Sequence, residues 1–355
     1  MAEMTSQERF TRTIQHKEPD RVPMWDDLWG STLARWHREG LPQDIPWQEY
    51  FGLDHLAMLH FDGSPRFPEA VLEETEDYVL RMTEWGATVK NFRHIPNMTE
   101  FVSYTLKGPD NWPEYKARIT PSRDRIDWNA WDRDYKRFRA NGSFIVVHAW
   151  FGFDLTHHAI LGTTQMLMEM GLHPEWCKEV FDHLLEVSIQ QLDMLWDAGY
   201  HFDAVKWADD MGYKNGTFFS LQMYRDLLKP AQQRFIEWAH SKGIFALLHS
   251  CGNVKALLPD LMDMGLDCLN PLEVKAGMDP YALKAEVGQR LCLHGGFNAM
   301  LWKDVEKLEA EMRRLLPAMK GGGGYIFASD HSIPDDVSLQ NMRKVVEIYK
   351  ELAVY

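Results

Sequence analysis

The residues best suited to chemistry lie in the segment Phe245–Asn253, which reads Phe-Ala-Leu-Leu-His-Ser-Cys-Gly-Asn. Its four apolar residues predict a buried strand of a parallel sheet, and His249 and Cys251 follow at a spacing of two. Because side chains alternate along a strand, this spacing places the imidazole and the thiol on the same face. Both are common zinc ligands, so the pair predicts half of a metal site. The alternative is a buried histidine beside an inert cysteine.

The elements that position this pair follow from hydrophobic periodicity. The second half of the chain alternates short apolar runs with stretches whose apolar residues recur every three or four positions, which is typical of β-α units on a parallel sheet. Two earlier apolar runs bring the strand count to the eight that close a barrel. We therefore predict an α/β protein with one (β/α)8 TIM barrel domain over residues 1–355. The predicted strands are Arg21–Asp26, His55–Phe61, Ser143–Ala149, Ala204–Ala208, Ile244–His249, Cys268–Leu272, Arg290–His294 and Tyr325–Ala328. The predicted helices are Ser6–His16, Pro174–Ala198, Leu221–Lys242, Val254–Met264, Pro280–Val287, Val305–Met319 and Leu339–Leu352.

Residues 74–120 interrupt this alternation. The runs Glu76–Thr83 and Ala87–Phe92 flank Glu84-Trp-Gly86, which predicts a β-hairpin inserted into the barrel. Such an insertion would cover the pocket or support a homodimer.

Polar residues cluster at the predicted carboxyl ends of the strands, where barrel enzymes carry their chemistry. Asp209 and Asp210 are either an acidic pair for a substrate or metal, or a solvated turn. His331 is either a loop residue or a ligand that faces His249 across the barrel, and Glu273 either supports a ligand or caps a loop. The polar set comprises Trp25, Asp26, Asp27, His148, Trp150, Trp207, Asp209, Asp210, His249, Cys251, Asn270, Glu273, His294, Ser329, Asp330 and His331.

Composition excludes several functional classes. The net charge is -14 with no run of basic residues, so nucleic acid and anionic membrane surfaces are not expected partners. No apolar stretch is long enough to span a bilayer, and the polar start of the chain predicts a cytoplasmic protein. Four cysteines in 355 residues predict reduced thiols rather than a disulfide framework. Fourteen tryptophans suit a pocket for a flat ligand.

The sequence resembles the uroporphyrinogen decarboxylase superfamily from residue 6 to about 350. Within it, the chain is most similar to the cobalamin-dependent methyltransferase branch. The resemblance implies a single (β/α)8 barrel, in agreement with the strand count. The segments that carry it are Glu8–Phe10, Glu18–Pro23, His249–Asn253, Gly324–Phe327, Asp330–Pro334 and Asn341.

Two departures from the family pattern matter for function. Uroporphyrinogen decarboxylases hold substrate carboxylates with an arginine-rich segment after the first strand, whereas this chain has the acidic Trp25–Trp29 there. An acidic wall would repel an octa-acid. The methyltransferase branch binds zinc through His-x-Cys and a cysteine before an Ile-Pro pair. His249 and Cys251 match the first two positions, and His331 takes the third, which implies a His2Cys site that activates a thiol more weakly.

The leading hypothesis is zinc-assisted methyl transfer between a small methylated substrate or thiol and a corrinoid that a partner protein supplies. His249, Cys251 and His331 would hold the metal, and Asp210 would orient the substrate or handle a proton. The direction of transfer is left open. The other substrate-binding candidates are Trp25, Trp150, Trp207, Asp209, Glu273 and Asp330, the last as a residue that orients a ligand histidine.

Two other hypotheses belong to different classes. The first is a metal-free decarboxylase or lyase of the uroporphyrinogen decarboxylase type, acting on a tetrapyrrole or a smaller carboxylic acid with Asp26 or Asp210 as proton donor. The second is a barrel without catalytic activity that only binds a tetrapyrrole or a corrinoid partner. Zinc content distinguishes the leading hypothesis from both.

Overall fold

The computed structural model describes residues 3–95 and 98–355. The first two residues, and positions 96 and 97 of the predicted insertion, lie outside the described residues. The strands are β1 (Leu56–Leu59), β2 (Ala70–Glu74), β3 (Tyr78–Met82), β4 (Ala87–Phe92), β5 (Thr99–Tyr104), β6 (Phe144–Ala149), β7 (Ala204–Ala208), β8 (Gly212–Tyr213), β9 (Gly216–Thr217), β10 (Phe245–His249), β11 (Cys268–Asn270), β12 (Cys292–His294) and β13 (Tyr325–Ile326).

Seven parallel strands form the central sheet, in the order β1-β6-β7-β10-β11-β12-β13. Seven of the eight predicted strands coincide with them, because short apolar runs buried on both faces are typical of parallel strands under helices. The register pairs Ala208 with His249, and His249 with Asn270. The carboxyl ends of neighbouring strands therefore meet at one edge. The sheet curls in a form consistent with a TIM-like barrel.

The remaining predicted strand, Arg21–Asp26, is an irregular segment beside β13. A single parallel bridge joins Met24 to Phe327, and the Phe327 N–H donates to the Pro23 carbonyl at 2.9 Å. Pro23 has no N–H to offer, which prevents a continuous ladder at this position. The prediction of a regular strand here is wrong, although the segment lies where an eighth strand would pair.

Asp26 fastens this segment to the chain after β13. Its carboxylate accepts hydrogen bonds from the backbone N–H of Ser329 at 2.6 Å and from the Ser329 hydroxyl at 2.9 Å. The side chain is buried, and burial raises its pKa to about 8. The visible contacts of Asp26 are those of a structural support, and its role as a catalytic proton donor stays a prediction.

Replacing Ser329 by alanine is expected to lower the free energy of unfolding by about 1–3 kcal/mol, because a buried carboxyl loses a hydroxyl donor. Urea unfolding followed by tryptophan fluorescence measures this. Ser241→Ala is the control, since that hydroxyl donates to the Trp238 carbonyl at the exposed end of a helix. An equal change in the free energy of unfolding in both variants would show that the hydrogen bond from Ser329 to Asp26 does not stabilise the fold.

Helices cover the outer face of the sheet. All seven predicted helices are present, although 3-10 or π turns occupy part of two of them. Ser220 and Ser338 cap helix starts, and their hydroxyl groups accept hydrogen bonds from the backbone N–H groups of Met223 and Asn341. The helices are α1 (Ser6–Ile14), α2 (Gly30–Arg38), α3 (Trp47–Phe51), α4 (Trp112–Lys116), α5 (Trp128–Ala140), α6 (Phe153–Leu155), α7 (Thr163–Leu172), α8 (Pro174–Asp197), α9 (Leu221–Met223), α10 (Lys229–Ser241), α11 (Leu258–Asp263), α12 (Pro280–Glu286), α13 (Val305–Lys320) and α14 (Leu339–Leu352).

The insertion is a four-stranded antiparallel sheet in the order β2-β3-β4-β5. The prediction of a simple hairpin over 74–120 is therefore not confirmed: β3 and β4 pair as its middle strands, and the chain leaves the sheet after Tyr104. The outer strands lack a clear alternating pattern, because β2 is exposed along its whole length. Phe101 of β5 packs on His158, which brings the insertion beside the carboxyl edge of the central sheet.

The apolar core has two layers, which the alternation of strand side chains separates. Leu247 of β10 packs inside the curled sheet, with Cys268 and Cys292. Its neighbours Ala246 and Leu248 pack outward against the helices. Every second residue of β10 counted from Leu247, together with its register partners on the neighbouring strands, therefore points into the interior. No helix in the described part of the chain has both the length and the apolar character that crossing a bilayer requires.

Candidate metal centre at the carboxyl edge of the sheet

Three donor side chains converge at the carboxyl end of β10. The ligand atoms of His249, Cys251 and His331 all lie within 4.8 Å of one another, and the three side chains are half-buried. The distance between His249 Nε2 and Cys251 Sγ is 3.3 Å. Donors around a tetrahedral zinc ion are about 3.3–3.8 Å apart, so small side-chain movements would complete the site. Within residues 3–95 and 98–355, no other cluster meets the same geometric test.

The neighbouring strand orients the first ligand. Asn270, at the end of β11, brings its Oδ1 atom to 2.8 Å from His249 Nδ1. An amide oxygen accepts a hydrogen bond, so Nδ1 carries the proton and Nε2 presents a lone pair toward Cys251 and His331. A hydrogen bond of this kind on the far nitrogen is typical of metal-binding histidines.

Backbone hydrogen bonds fix the turn that carries the second ligand. The N–H of Cys251 donates to Asp210 Oδ1 at 2.7 Å, and the N–H of Gly252 donates to Glu273 Oε2 at 2.7 Å. Gly252 has a φ of 77°, and a Cβ atom there would lie 2.3 Å from the backbone carbon of Gly212. The turn therefore requires glycine.

The donor set fits zinc chemically. Burial lowers the pKa of His249 and favours the neutral imidazole that a metal needs. Burial, with the nearby carboxylates of Asp210 and Glu273, raises the pKa of the Cys251 thiol. A coordinating cation would stabilise the thiolate against these effects, so metal binding would release a proton.

Asp210 and Glu273 both lie beside this cluster, where each accepts a hydrogen bond from the backbone of the Cys251–Gly252 turn. Asp210 Oδ1 is 3.8 Å from His249 Nε2. Glu273 holds the Gly252 backbone and lies 3.6 Å from the ammonium of Lys275, so its visible contacts are those of a loop support.

Trp207 and Asp209 pack away from the cluster, and their role as substrate-binding residues stays a prediction. Both are fully buried on the outward face of the sheet. Trp207 packs between Phe151 and Phe235, and Asp209 accepts a hydrogen bond from the Gln232 amide at 2.8 Å. Burial raises the pKa of Asp209 to about 8. Alternation along the strand explains this placement, since Asp210 continues the inward-facing positions of β7 whereas Trp207 and Asp209 continue the outward-facing ones.

Asp330 is buried, and its carboxylate accepts a hydrogen bond from the Ala299 N–H at 2.8 Å. Among the described residues it makes no hydrogen bond or ion pair with His249 or His331, and its role in orienting a ligand stays a prediction. The indole of Trp25 is nearly buried and lines the interior of the curled sheet below the mouth. Trp150 is half-buried, and its indole N–H donates to the Phe61 carbonyl at 3.0 Å.

Two open clefts meet the cluster. One, of about 740 Å³, is lined by Asp210, by Phe101 and Tyr104 of the insertion, and by side chains from residues 154–165, which follow β6. The other, of about 390 Å³, is lined by Cys251, Glu273 and the two lysines Lys214 and Lys275. The β8–β9 hairpin contributes to both. A substrate and a larger partner could therefore reach the cluster from different sides.

Sequence reasoning missed one interior residue near the cluster. Lys206 lies in the middle of β7 at interior parity and lines a small cavity with Trp25, Asn270 and His294. The available signal was a lysine inside an otherwise apolar strand, Ala204–Ala208, which is an unusual position for a charged residue.

Comparisons with known proteins agree with this architecture. A uroporphyrinogen decarboxylase of Protochlamydia amoebophila is 26% identical over 188 residues, which are 50% of this chain and 46% of that protein. A uroporphyrinogen decarboxylase of Vesicomyosocius okutanii is 34% identical over 68 residues, 19% of this chain and 20% of that protein. The matched segments thus span less than half the length of these curated relatives.

A solved structure of a methyltransferase from Methanosarcina mazei is similar over 98% of this chain and 99% of its own, with a TM-score of 0.68 and 18% identity. At that identity the likeness establishes the fold. The model of the uroporphyrinogen decarboxylase (URO-D) family matches residues 153–352, more than half of the chain. The chain therefore belongs to the uroporphyrinogen decarboxylase family.

Proposed function

We propose that the protein is a zinc-dependent methyltransferase that exchanges a methyl group between a small substrate and the corrinoid of a partner protein. The observation that carries this proposal is the convergence of one thiol and two imidazoles within 4.8 Å at the carboxyl edge of the sheet. We take the fold to be a (β/α)8 barrel of one cytoplasmic domain, in which Arg21–Asp26 occupies the eighth position. The likeness to a methyltransferase along nearly the whole chain supports this choice.

His249, Cys251 and His331 are the proposed ligands, with Asn270 orienting the first. Three protein ligands leave one position for a substrate, as catalytic zinc sites do. The ion, when bound, supplies Lewis acidity toward a sulfur, oxygen or nitrogen atom of the substrate. The single thiolate keeps the negative charge of the site low.

Asp210 is the proposed proton-handling residue. Its carboxylate stands 3.8 Å from His249 Nε2 and lines the larger cleft, so it faces both the ligand cluster and the approach route. There it would accept the proton that a thiol loses when it is methylated, or donate the proton that the product of a demethylation takes up. Trp150 and Trp25 would shape the apolar side of the pocket, and the larger cleft would receive the corrinoid.

The proposal is tested with methylcobalamin as methyl donor and a panel of small neutral and acidic thiols. We expect consumption of methylcobalamin, followed by its absorbance, that depends on zinc and is lost in the His249→Ala/Cys251→Ser double variant. The reverse arm supplies cob(I)alamin with small methyl ethers and methylamines. Absence of zinc-dependent transfer in both directions would refute the proposal.

A second candidate is decarboxylation of a carboxylic acid without metal, with Asp210 as proton donor. The curated relatives that carry the name uroporphyrinogen decarboxylase favour it. It predicts full activity after exhaustive chelation, whereas the methyl-transfer proposal predicts none. Release of carbon dioxide from uroporphyrinogen or smaller acids by the chelated protein would decide for it.

A further inference from the structure

The larger cleft beside the candidate metal centre combines two carboxylates with three aromatic rings. Its lining includes Asp154 and Asp210 together with Phe101, Tyr104 and Phe218. Among the described residues, no lysine or arginine contributes to this lining. At about 740 Å³ the cleft has room for a small organic molecule, and its walls carry negative charge only.

The carboxylate of Asp154 has no lysine or arginine partner. Over residues 3–95 and 98–355, no nitrogen of either residue type lies within 4.0 Å of it, and it accepts no hydrogen bond. Its neighbours are His157 Nε2 at 3.5 Å and His158 Nδ1 at 3.9 Å, and its side chain is 19% exposed. Asp210 uses its Oδ1 atom to accept the Cys251 N–H. A half-buried carboxylate in this situation favours the approach of a cation from solution.

Aromatic rings stand on both sides of the Asp154 carboxylate, packed against the two histidines. The ring centres of Phe101 and His158 are 4.5 Å apart, and those of Phe218 and His157 are 5.8 Å apart. A further ring of the insertion, next to Phe101, extends the first of these walls. Aromatic faces attract organic cations, and quaternary ammonium groups are recognised in this way.

This arrangement lies next to the candidate metal centre. Asp210 Oδ1 is 3.8 Å from His249 Nε2. The Asp154 N–H donates to Asp209 Oδ1 at 2.9 Å, which joins the segment after β6 to the end of β7. Burial raises the pKa of the Cys251 thiol, and the negative charges of Asp210 and Asp154 add to this effect. A cation bound between the two carboxylates would therefore lie beside the proposed zinc ligands.

We propose that the larger cleft binds a small organic cation with a methylated ammonium group, whose charge is held by Asp154 and Asp210 and whose methyl groups pack on the three aromatic rings. That this cation is the substrate of methyl transfer rests on the proposed function. The smaller cleft differs in character, because it presents Lys214 and Lys275. The net charge of -14 would also attract a cation from solution.

The test compares choline with 3,3-dimethyl-1-butanol, which has the same shape but a neutral carbon in place of the charged nitrogen. Calorimetric titration in phosphate buffer at pH 8 avoids competing organic amines and lies above the range in which histidine titrates. We expect choline to bind at least about 10-fold more tightly than the alcohol. In Asp154→Asn and in Phe101→Leu this preference should fall by about 3-fold or more, while the affinity for the alcohol is retained.

Asp263→Asn is the matched control, because it removes one negative charge from a carboxylate that is 71% exposed at the end of α11. It should keep the full preference for choline, and thermal unfolding checks the fold of each variant. Equal affinity for the two probes, no binding of choline, or a preference unchanged in both cleft variants would overturn the inference.

Titrations of zinc-loaded and metal-free protein distinguish this inference from the proposed function. Selective choline binding by a protein without zinc-dependent methyl transfer would refute the proposed function and leave the cation site standing. Zinc-dependent transfer by a protein that binds both probes equally would overturn the cation site alone.

Discussion

Replacing Cys251 by serine is expected to weaken zinc binding by about 100-fold or more, because losing even a hydrogen-bonding partner of a metal ligand costs about 10–100-fold. The thiolate is the one anionic ligand of the proposed set. Its backbone N–H would still donate to Asp210, so the turn should keep its shape. Competition with a chromophoric chelator measures the affinity.

Cys292→Ser is the matched control for this prediction. Cys292 is also a cysteine two residues from a histidine, His294, but it precedes that histidine, packs deeper and lies outside the donor cluster. It should bind zinc as the unmodified protein does. Equal zinc affinities of the Cys251→Ser and Cys292→Ser variants would show that the Cys251 thiolate is not a zinc ligand.

Replacing Asp210 by asparagine is expected to lower kcat for methyl transfer by about 100- to 10,000-fold, the contribution typical of a positioned proton-transfer group. The amide oxygen of asparagine can still accept the Cys251 N–H. We therefore expect unchanged zinc content and nearly unchanged stability. Steady-state turnover in the methylcobalamin assay, with metal analysis on the same samples, provides both readouts.

Asp209→Asn tests whether this effect is specific to position 210. Asp209 is adjacent in sequence but buried on the opposite face, against Gln232. Its substitution should alter stability more than kcat. If turnover falls equally in both variants, the loss reflects disturbance of the β7 end and not proton handling by Asp210.

Local pattern was sufficient to predict the core of the candidate site. The spacing of His249 and Cys251 fixes their common face by strand geometry alone, and Gly252 marks the tight turn that follows. His331 is more than 80 residues away in sequence. Its position beside the other two ligands depends on the closure of the sheet. The family resemblance predicted His331 as a ligand, whereas hydrophobic periodicity could not.

Other features were inaccessible for identifiable physical reasons. Polar residues at strand ends were treated as one set, although Trp207 and Asp209 have the parity that points toward the helices. Asp26 looks catalytic in sequence because its partner, Ser329, is distant along the chain. The outer strands of the insertion escaped notice because an exposed edge strand such as β2 needs no alternation of apolar and polar residues.

The central claim is that one sulfur and two imidazole nitrogens of this chain bind a zinc ion. X-ray absorption at the zinc edge, on protein purified without chelators and without added metal, tests it most directly. The account predicts about one zinc per chain, with one sulfur neighbour at about 2.3 Å and two nitrogen neighbours at about 2.0–2.1 Å. A metal-free protein, or a zinc shell without sulfur, would contradict it.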